Sequence, residues 1–223
     1  MNLRVDLPLA EPFQDQASNH PSVSGFLHRA ESPDRGLVLA HGAGGNCNSP
    51  LLVGLAEALA RVGVTVLRLN LPFRQRRPFG PPLGTAEEDQ AGLHRGVQLM
   101  REQVKSRVFV GGHSYGGRMA SMLCARESSS ADGLLLISYP LHPPRKPQQL
   151  RTAHLPSLHT QALFVHGTRD PFGSVEEMES ALALIPAETK LLPIEGAKHE
   201  LLPKADPDSL FALIAANFVQ FFH

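Results

Sequence analysis

The residues that could do chemistry in this sequence begin with a serine held between two glycines. The segment Gly112 to Gly116 reads Gly-His-Ser-Tyr-Gly, a G-x-S-x-G pattern. An apolar run, Val108 to Val110, precedes it, and a helix-type stretch, Arg118 to Glu127, follows it. A strand–serine–helix order of this kind forms a sharp, strained turn that lifts the serine hydroxyl above the edge of a sheet. We therefore predict that Ser114 is a nucleophile.

A serine nucleophile needs a base to take its proton and an acid to orient that base. In folds with this turn, the chain order is serine, then Asp or Glu, then histidine. Asp170 follows the apolar run Ala162 to His166, and His199 follows the apolar run Leu191 to Ile194. Both residues thus lie on loops just after strands, where an open α/β sheet has its ligand crevice. The sequence predicts Asp170 as the acid and His199 as the base.

Other residues fit these two roles less well. Three histidines precede the acid in the sequence or adjoin the nucleophile: His113, His142 and His166. The loop after Leu134 to Ser138 is a second possible position for the acid, but Tyr139 to Pro144 contains no carboxylate. The alternative for Asp170 is that it only caps the helix beginning near Ser174. Glu200 is interpreted as a solvent-facing neighbour of His199.

A glycine-rich loop upstream supplies a further part of the predicted site. The apolar run Gly36 to Ala40 leads into His41-Gly-Ala-Gly-Gly-Asn46. An oxyanion hole takes one backbone N–H from the residue after the nucleophile, here Tyr115, and another from a loop such as this one. Ala43 is the first candidate for that second donor and Gly44 is the other. The loop lacks G-K-[ST] and G-x-G-x-x-G, which argues against nucleotide binding.

These motifs resemble the α/β-hydrolase superfamily, in its small, capless branch near dienelactone hydrolases and small carboxylesterases. More narrowly, Gly111 to Ser121 and Ile137 to Pro144 resemble a bacterial hydrolase-like family. Relatives of that family include the hydrolase-like domain of a eukaryotic chromatin-acetylation complex. The resemblance implies the fold and a Ser-His-Asp triad. Members with this fold also serve as non-catalytic scaffolds, so a binding function stays open.

Composition narrows the class of protein. The 223 residues suit a single domain over residues 1–223, and 21 basic and 21 acidic residues give zero formal net charge. We therefore expect no nucleic acid and no membrane among the partners, since neither a basic field nor a spanning apolar run is present. Met1 to Ala10 has acidic residues and prolines where a signal peptide needs an apolar stretch. With Cys47 and Cys124 far apart, a disulfide framework is not expected, and we predict a cytoplasmic location.

The elements that would position the site alternate along the chain. Two β-like stretches, Leu3 to Leu7 and Val23 to Ala30, are predicted to pair antiparallel at one edge of the sheet. Further strands are predicted at Leu37 to Ala40, Val64 to Asn70, Val108 to Val110, Leu134 to Ser138, Leu163 to His166 and Leu191 to Ile194. Helices are predicted at Pro50 to Val62, Ala86 to Lys105, Arg118 to Glu127, Ser174 to Leu184 and Asp208 to Phe222. Alternation of this kind predicts an α/β fold with about eight mostly parallel strands, helices on both faces and no cap domain. Thr85 and Glu88 form a predicted capping box.

Two long loops interrupt the alternation at the predicted edge of the site. Pro72 to Gly84 is rich in arginine and proline, and so is Tyr139 to Thr160. Their cations either select a substrate with a carboxylate, which the guanidinium fork matches, or form a solvated basic surface. Arg118 opposes the dipole of its own helix, so it either pairs with a buried carboxylate or points toward the site. The candidate substrate-binding residues are His41, Arg74, Arg118 and Tyr139.

The function that fits these residues is hydrolysis of a small ester or thioester through an acyl-enzyme. This chemistry needs no metal and no organic cofactor. Two alternatives stay open: a catalytically silent scaffold that binds a partner, and an acyltransferase that uses the same triad. The oligomeric state is not indicated by the sequence.

Overall fold

An eight-stranded sheet in the order β1-β2-β4-β3-β5-β6-β7-β8 forms the centre of the protein. The structure is a computed structural model and describes residues 10–15, 22–203 and 206–223. Its strands are β1 (Glu11–Gln14), β2 (Ser24–His28), β3 (Arg35–Ala40), β4 (Val64–Asn70), β5 (Val108–His113), β6 (Leu134–Ile137), β7 (Ala162–Gly167) and β8 (Thr189–Ile194). Its helices are α1 (Pro50–Arg61), α2 (Pro72–Arg76), α3 (Ala86–Gln103), α4 (Tyr115–Arg126), α5 (Val175–Leu182) and α6 (Pro207–Phe221).

The six strands from β3 onward run parallel, and the antiparallel pair lies at one edge. β2 pairs with β1 on one side and with β4 on the other, antiparallel to both. The predicted stretch Val23 to Ala30 contains β2, but its described partner is Glu11–Gln14. The predicted stretch Leu3 to Leu7 lies outside the described residues. The edge pair therefore forms with a partner other than the predicted one.

Helices cover both faces of the sheet and bury two apolar cores. On one face, α3, α4 and α5 contribute residues such as Leu93 and Met119. On the other, α1 and α6 contribute residues such as Leu52 and Phe218. Central strands such as β5 and β6 are buried along their full length, as expected for parallel strands covered on both faces. The predicted α/β fold with eight mostly parallel strands and helices on both faces is confirmed, and the described residues form no cap domain.

Local sequence signals set several helix boundaries. The predicted capping box is confirmed: Thr85 Oγ1 accepts from the Glu88 N–H, and the Glu88 side chain accepts from the Thr85 N–H. Ser174 and Glu177 form a second one at the start of α5. The loop Pro72 to Gly84 differs from the prediction, because its first residues form the short helix α2 with Pro72 at the first position. No helix in the described part of the chain is long and apolar enough to cross a membrane.

Three histidines, His28 and His41 buried and His154 half-buried, are neutral in the native protein. Burial lowers the pKa of His28, His41 and His154 to about 4, and nearby arginine charges add to that effect. The native state therefore takes up these protons only near pH 4, whereas the unfolded chain takes them up near pH 6.5. Stability is fully present above about pH 6.5 and is lost as the pH falls toward about 4.

We expect the free energy of unfolding to fall by up to about 2 kcal/mol per buried histidine between about pH 6.5 and about pH 5. Urea titrations across this range measure the slope. The variant His28→Gln should reduce the slope, because its titration is removed and His28, on β2, does not line the cavity of the candidate site. The surface variant His159→Gln is the matched control. An unfolding free energy that is constant from pH 7 to pH 5 would contradict this account.

Candidate active site

Ser114 lies in the turn between β5 and α4 with a backbone conformation that side chains rarely adopt. Its φ is 51° and its ψ is −112°. This strained turn is held at both ends, because the Ser114 N–H donates to the Ile137 carbonyl (2.8 Å) and the Arg118 N–H donates to the Ser114 carbonyl (3.0 Å). A residue in such a conformation persists only where its surroundings fix it. The geometry is that of a nucleophile elbow.

The two glycines of the G-x-S-x-G pattern make room for the end of β3. A Cβ on Gly112 would lie 2.2 Å from the Ala40 carbonyl oxygen. A Cβ on Gly116 would lie 2.7 Å from the carbonyl oxygens of both Ala40 and His41. These distances are too short for any side chain, so the elbow and the start of the glycine-rich loop are in direct backbone contact.

Hydrogen bonds link the three residues predicted as a triad. His199 Nδ1 lies 2.8 Å from Asp170 Oδ2, and His199 Nε2 lies 2.8 Å from Ser114 Oγ. Because the Asp170 carboxylate can only accept, Nδ1 carries the imidazole proton and Nε2 is free to accept from the serine hydroxyl. The other carboxylate oxygen, Oδ1, accepts from the Phe172 N–H (2.8 Å), and the Asp170 side chain is fully buried.

Two neighbours that the sequence analysis did not select contact His199, one at its ring and one at its backbone. Phe172 stacks on the imidazole with ring centroids 4.1 Å apart and planes 28° apart. The His113 Nε2–H donates to the His199 carbonyl (3.0 Å). Burial lowers the pKa of His113, which keeps this ring neutral. From the sequence, His113 is only a rival base. Its position beside the nucleophile is the one sequence feature that could have indicated a supporting role, but its contact with His199 depends on the fold.

The candidate oxyanion donors lie where the glycine-rich loop faces Ser114. Ala43, Gly44 and Tyr115 all line the cavity above the serine. Within the described residues, no carbonyl accepts from the N–H groups of Ala43 or Gly44. The Tyr115 N–H is in the first turn of α4, where backbone donors have no partner within the helix. These groups could stabilise negative charge on a substrate oxygen.

His41 belongs to the support of that loop and not to the cavity, which corrects our assignment of it to substrate binding. Its ring is fully buried. Nε2 accepts from the Leu71 N–H (3.2 Å), so Nδ1 carries the proton and donates to the Gly42 carbonyl (2.8 Å). The Gly45 N–H donates to the same carbonyl (3.0 Å). In a trans peptide the N–H points opposite to the carbonyl, so these bonds fix the direction of the Ala43 N–H.

Arg74 is a second support, and its assignment to substrate binding is likewise corrected. It is 5% exposed and makes no ion pair with a described carboxylate. Its guanidinium instead donates to four backbone carbonyls, those of Ala43 (2.6 Å), Gly45 (2.8 Å), Arg77 (3.2 Å) and Gly80 (3.1 Å). The residue therefore ties the glycine-rich loop to the proline-rich loop after α2.

Replacing Arg74 by glutamine should lower kcat by up to about 10²-fold, because it releases the carbonyls that orient the candidate oxyanion donors. The effect on KM should be smaller, since the oxyanion forms only in the transition state. Steady-state kinetics and thermal unfolding of the variant measure both effects. Arg77→Gln, an exposed change in the same loop, is the control. An Arg74→Gln enzyme with unchanged kcat would contradict the positioning role.

Tyr139 also lies outside the cavity, which corrects its assignment. It is 1% exposed, and its hydroxyl donates to the Arg151 carbonyl (2.8 Å). Arg118, in contrast, does line the cavity, as does Arg151 from the second long loop. Neither makes an ion pair with a carboxylate of the described chain. Of the two possibilities for Arg118, the structure shows the one in which it faces the site.

The remaining basic residues of the two loops are solvated. Arg76 pairs with Glu88 at the surface (2.6 Å), and Arg77, Arg145 and Lys146 are exposed. Cys47 and Cys124 are buried free thiols, and Cys47 does not line the cavity. In the part of the chain described, no group of three or more His, Cys, Asp or Glu side chains is arranged to hold a metal ion.

Comparison with known proteins places this architecture in a family. The family model described as "Alpha/beta hydrolase domain" matches residues 33–219, which is most of the chain. The chain belongs to the α/β-hydrolase family. The matched region of this α/β-hydrolase contains the elbow, the glycine-rich loop and the loops of Asp170 and His199. The narrower resemblance to the chromatin-complex relatives stays a prediction.

Solved structures share the fold of this α/β-hydrolase at low sequence identity. A dienelactone hydrolase from Anabaena variabilis has a TM-score of 0.76 and 18% identity, covering 97% of this chain and 100% of that chain. Est1E from Butyrivibrio proteoclasticus has a TM-score of 0.73 and 15% identity, covering 94% and 98%. An α/β serine hydrolase without a lid from Xanthomonas campestris has a TM-score of 0.66 and 14% identity, covering 96% of both chains. At these identities the likeness concerns the fold.

Proposed function

We propose that this α/β-hydrolase is a serine hydrolase that cleaves a small ester or thioester through an acyl-enzyme. The observation that carries the proposal is the continuous hydrogen-bonded line from Asp170 through His199 to Ser114, with 2.8 Å at each step. The strained conformation of Ser114 supports the same chemistry, as does the position of Ala43, Gly44 and Tyr115 in the lining of the cavity. Membership of the α/β-hydrolase family and the esterase and dienelactone hydrolase relatives support hydrolysis in general.

In the proposed mechanism, His199 Nε2 takes the proton of the Ser114 hydroxyl as Oγ attacks the carbonyl carbon. The N–H groups of Tyr115 and of Ala43 or Gly44 stabilise the oxyanion. The imidazolium then gives its proton to the leaving alcohol or thiol, and Asp170 stabilises the charged ring. Water, activated by the same histidine, hydrolyses the acyl-enzyme and restores the serine. Each of these steps is performed by side chains and backbone groups of the chain itself.

The cavity above Ser114 supports a small substrate. Its volume is about 690 Å³, within the range of small-molecule pockets. Its walls come from the glycine-rich loop, from Pro82 of the first long loop and from Pro140 and Arg151 of the second. The two prolines in these walls and a cavity of this volume favour a short substrate over a long acyl chain.

Labelling with a fluorophosphonate probe tests the proposal, since the probe reacts only with an activated serine. We expect the wild type to be labelled and both Ser114→Ala and His199→Ala to remain unlabelled. Ser49→Ala is the matched control, because Ser49 also lines the cavity, whereas the described bond to His199 Nε2 comes from Ser114. An unlabelled wild type would refute an activated serine and leave the scaffold alternative. Product analysis with added alcohols or amines separates hydrolysis from acyl transfer.

A further inference from the structure

One wall of the cavity carries two arginines whose positive charges no described carboxylate neutralises. Arg118 and Arg151 both line the cavity, next to Ser114 and Pro140. The one carboxylate among the described lining residues, Glu200, is exposed and follows His199 on another loop. An unpaired cation that is partly buried is costly, because the desolvation of its charge is not repaid. Such an arrangement is typical of a site whose counter-charge arrives with a ligand.

Arg118 is held close to the nucleophile by the helix itself. It lies one turn after Ser114, since its N–H donates to the Ser114 carbonyl (3.0 Å). Its side chain lines the cavity together with Ser114 and Tyr115. Its Nε is buried and has no hydrogen-bond partner in the described structure. The desolvation of this donor is therefore not repaid within the described structure.

Arg151 is brought to the same wall by the second long loop. The Arg151 N–H donates to the Leu141 carbonyl (2.8 Å), and the Arg151 carbonyl accepts from the Tyr139 hydroxyl (2.8 Å). Its Nη1 makes a long bond to the Pro140 carbonyl (3.3 Å). The loop is thus closed on itself, and the remaining guanidinium donors are available to a ligand.

The charges of the two arginines act on the groups around them. Burial lowers the pKa of Arg151, and the positive charge of Arg118 lowers it further. The same two causes, in the same order, lower the pKa of His154 to about 4. The field at this wall is therefore positive, and a negative group entering the cavity would relieve the repulsion between the two cations.

We propose that Arg118 and Arg151 form a carboxylate subsite, and that the substrate carries a carboxylate a few bonds from the scissile carbonyl. Arginine suits this role because its fork of N–H donors matches a carboxylate. The inference rests on the proposed function for the reacting end of the substrate, since it names the substrate class of that site. The carboxylate belongs either to the acyl part or to the leaving alcohol, and the substrates below separate these sources.

Four phenyl esters test the subsite by kcat/KM: the glutarate monoester, its methyl-capped diester, butyrate and the butyrate of 4-hydroxybenzoate. Turnover by Ser114→Ala is subtracted as background. We expect one carboxylate-bearing ester to exceed its neutral counterpart by roughly tenfold to a hundredfold, the range for a charged hydrogen bond. The glutarate monoester leads if the acyl part is recognised, and the benzoate derivative leads if the alcohol is. Equal or higher kcat/KM for the neutral esters overturns the proposal.

The ratio of kcat/KM for the carboxylate-bearing ester to that for its neutral counterpart measures the preference. Arg118→Gln and Arg151→Gln should each lower this ratio toward one, and Arg118→Lys should restore part of it. The matched control is Arg126→Gln, which removes a cation from the exposed end of the same helix. Its preference should equal that of the wild type. Equal preference in the Arg118→Gln and wild-type enzymes contradicts the assignment of Arg118.

Calorimetric titration of the Ser114→Ala protein with glutarate gives a readout that does not depend on turnover. We expect glutarate to bind, dimethyl glutarate not to bind, and Arg118→Gln to weaken glutarate binding at least about tenfold. Glutarate binding without turnover of any ester would refute the proposed hydrolysis and keep the subsite. Serine-dependent turnover of neutral esters, with binding of neither glutarate nor 4-hydroxybenzoate, would refute the subsite and keep the hydrolysis.

Discussion

Replacing Ser114 by alanine is expected to lower kcat by about 10⁶-fold, because loss of a triad nucleophile typically costs that much. In the described structure, the Ser114 hydroxyl is the group bonded to His199 Nε2. Alanine keeps the Cβ and adds no polar atom, so the elbow should fold as before. Initial rates on short phenyl esters measure the loss, and circular dichroism checks the fold.

A matched control for this variant is Ser138→Ala. Ser138 also has a positive φ, 49°, and is buried at the end of β6, but its hydroxyl has no partner among the described residues. Its removal should leave kcat within a few fold of the wild type. Activity of Ser114→Ala equal to that of Ser138→Ala would refute the nucleophile assignment.

Asp170→Asn is expected to lower kcat by about 10⁴-fold through the tautomer of His199. The new carboxamide would have to keep its oxygen toward the Phe172 N–H, which now donates to Asp170 Oδ1. Its NH₂ group would then face His199 Nδ1 and donate to it. The imidazole proton would move to Nε2, where it blocks acceptance of the serine proton.

The comparison variant for this prediction is Asp208→Asn, an exposed change in the first turn of α6. It removes one carboxylate charge from a residue that does not line the cavity, and it should leave kcat unchanged. Thermal unfolding of both variants separates catalytic from structural loss. A kcat for Asp170→Asn within tenfold of the wild type would refute the assignment of Asp170 as the acid.

The order of strands, helices and polar loops along the chain allowed the fold and the candidate triad to be predicted from the sequence. Parallel strands end at one edge of the sheet, so residues just after β5, β7 and β8 are brought together whatever the details of packing. The alternation of apolar runs with helical patterns specified the sheet, and the capping box at Thr85 marked the start of α3. A strand followed by a polar loop can be recognised in a sequence without knowledge of side-chain contacts, and this pattern was enough to predict where the candidate triad lies.

The substrate-binding assignments failed where contacts decide the outcome. His41 has both ring nitrogens occupied by backbone partners from two loops, and no local pattern indicates this. Arg74 lies in a segment whose composition is that of a solvated loop, but its side chain is buried among backbone carbonyls. The Tyr139 hydroxyl donates to the carbonyl of Arg151, twelve residues further along the same loop, and the sequence does not indicate this contact. From the sequence, Arg151 is only one of several cations in the second long loop. The folded structure distinguishes Arg151, which lines the cavity, from Lys146, which is exposed.

The bonds of Arg74 have a consequence for how this enzyme scaffold can diversify. One side chain joins the carbonyls of the glycine-rich loop to that of Gly80, two residues before Pro82 in the cavity wall. Insertions or exchanges in the proline-rich segment would therefore shift the donors that serve the reaction as well as the fit of the substrate. The segment from Tyr139 to Arg151 closes through its own bonds. New substrate ranges should accordingly arise by variation of residues 139–151, and that is the loop to graft or randomise in engineering.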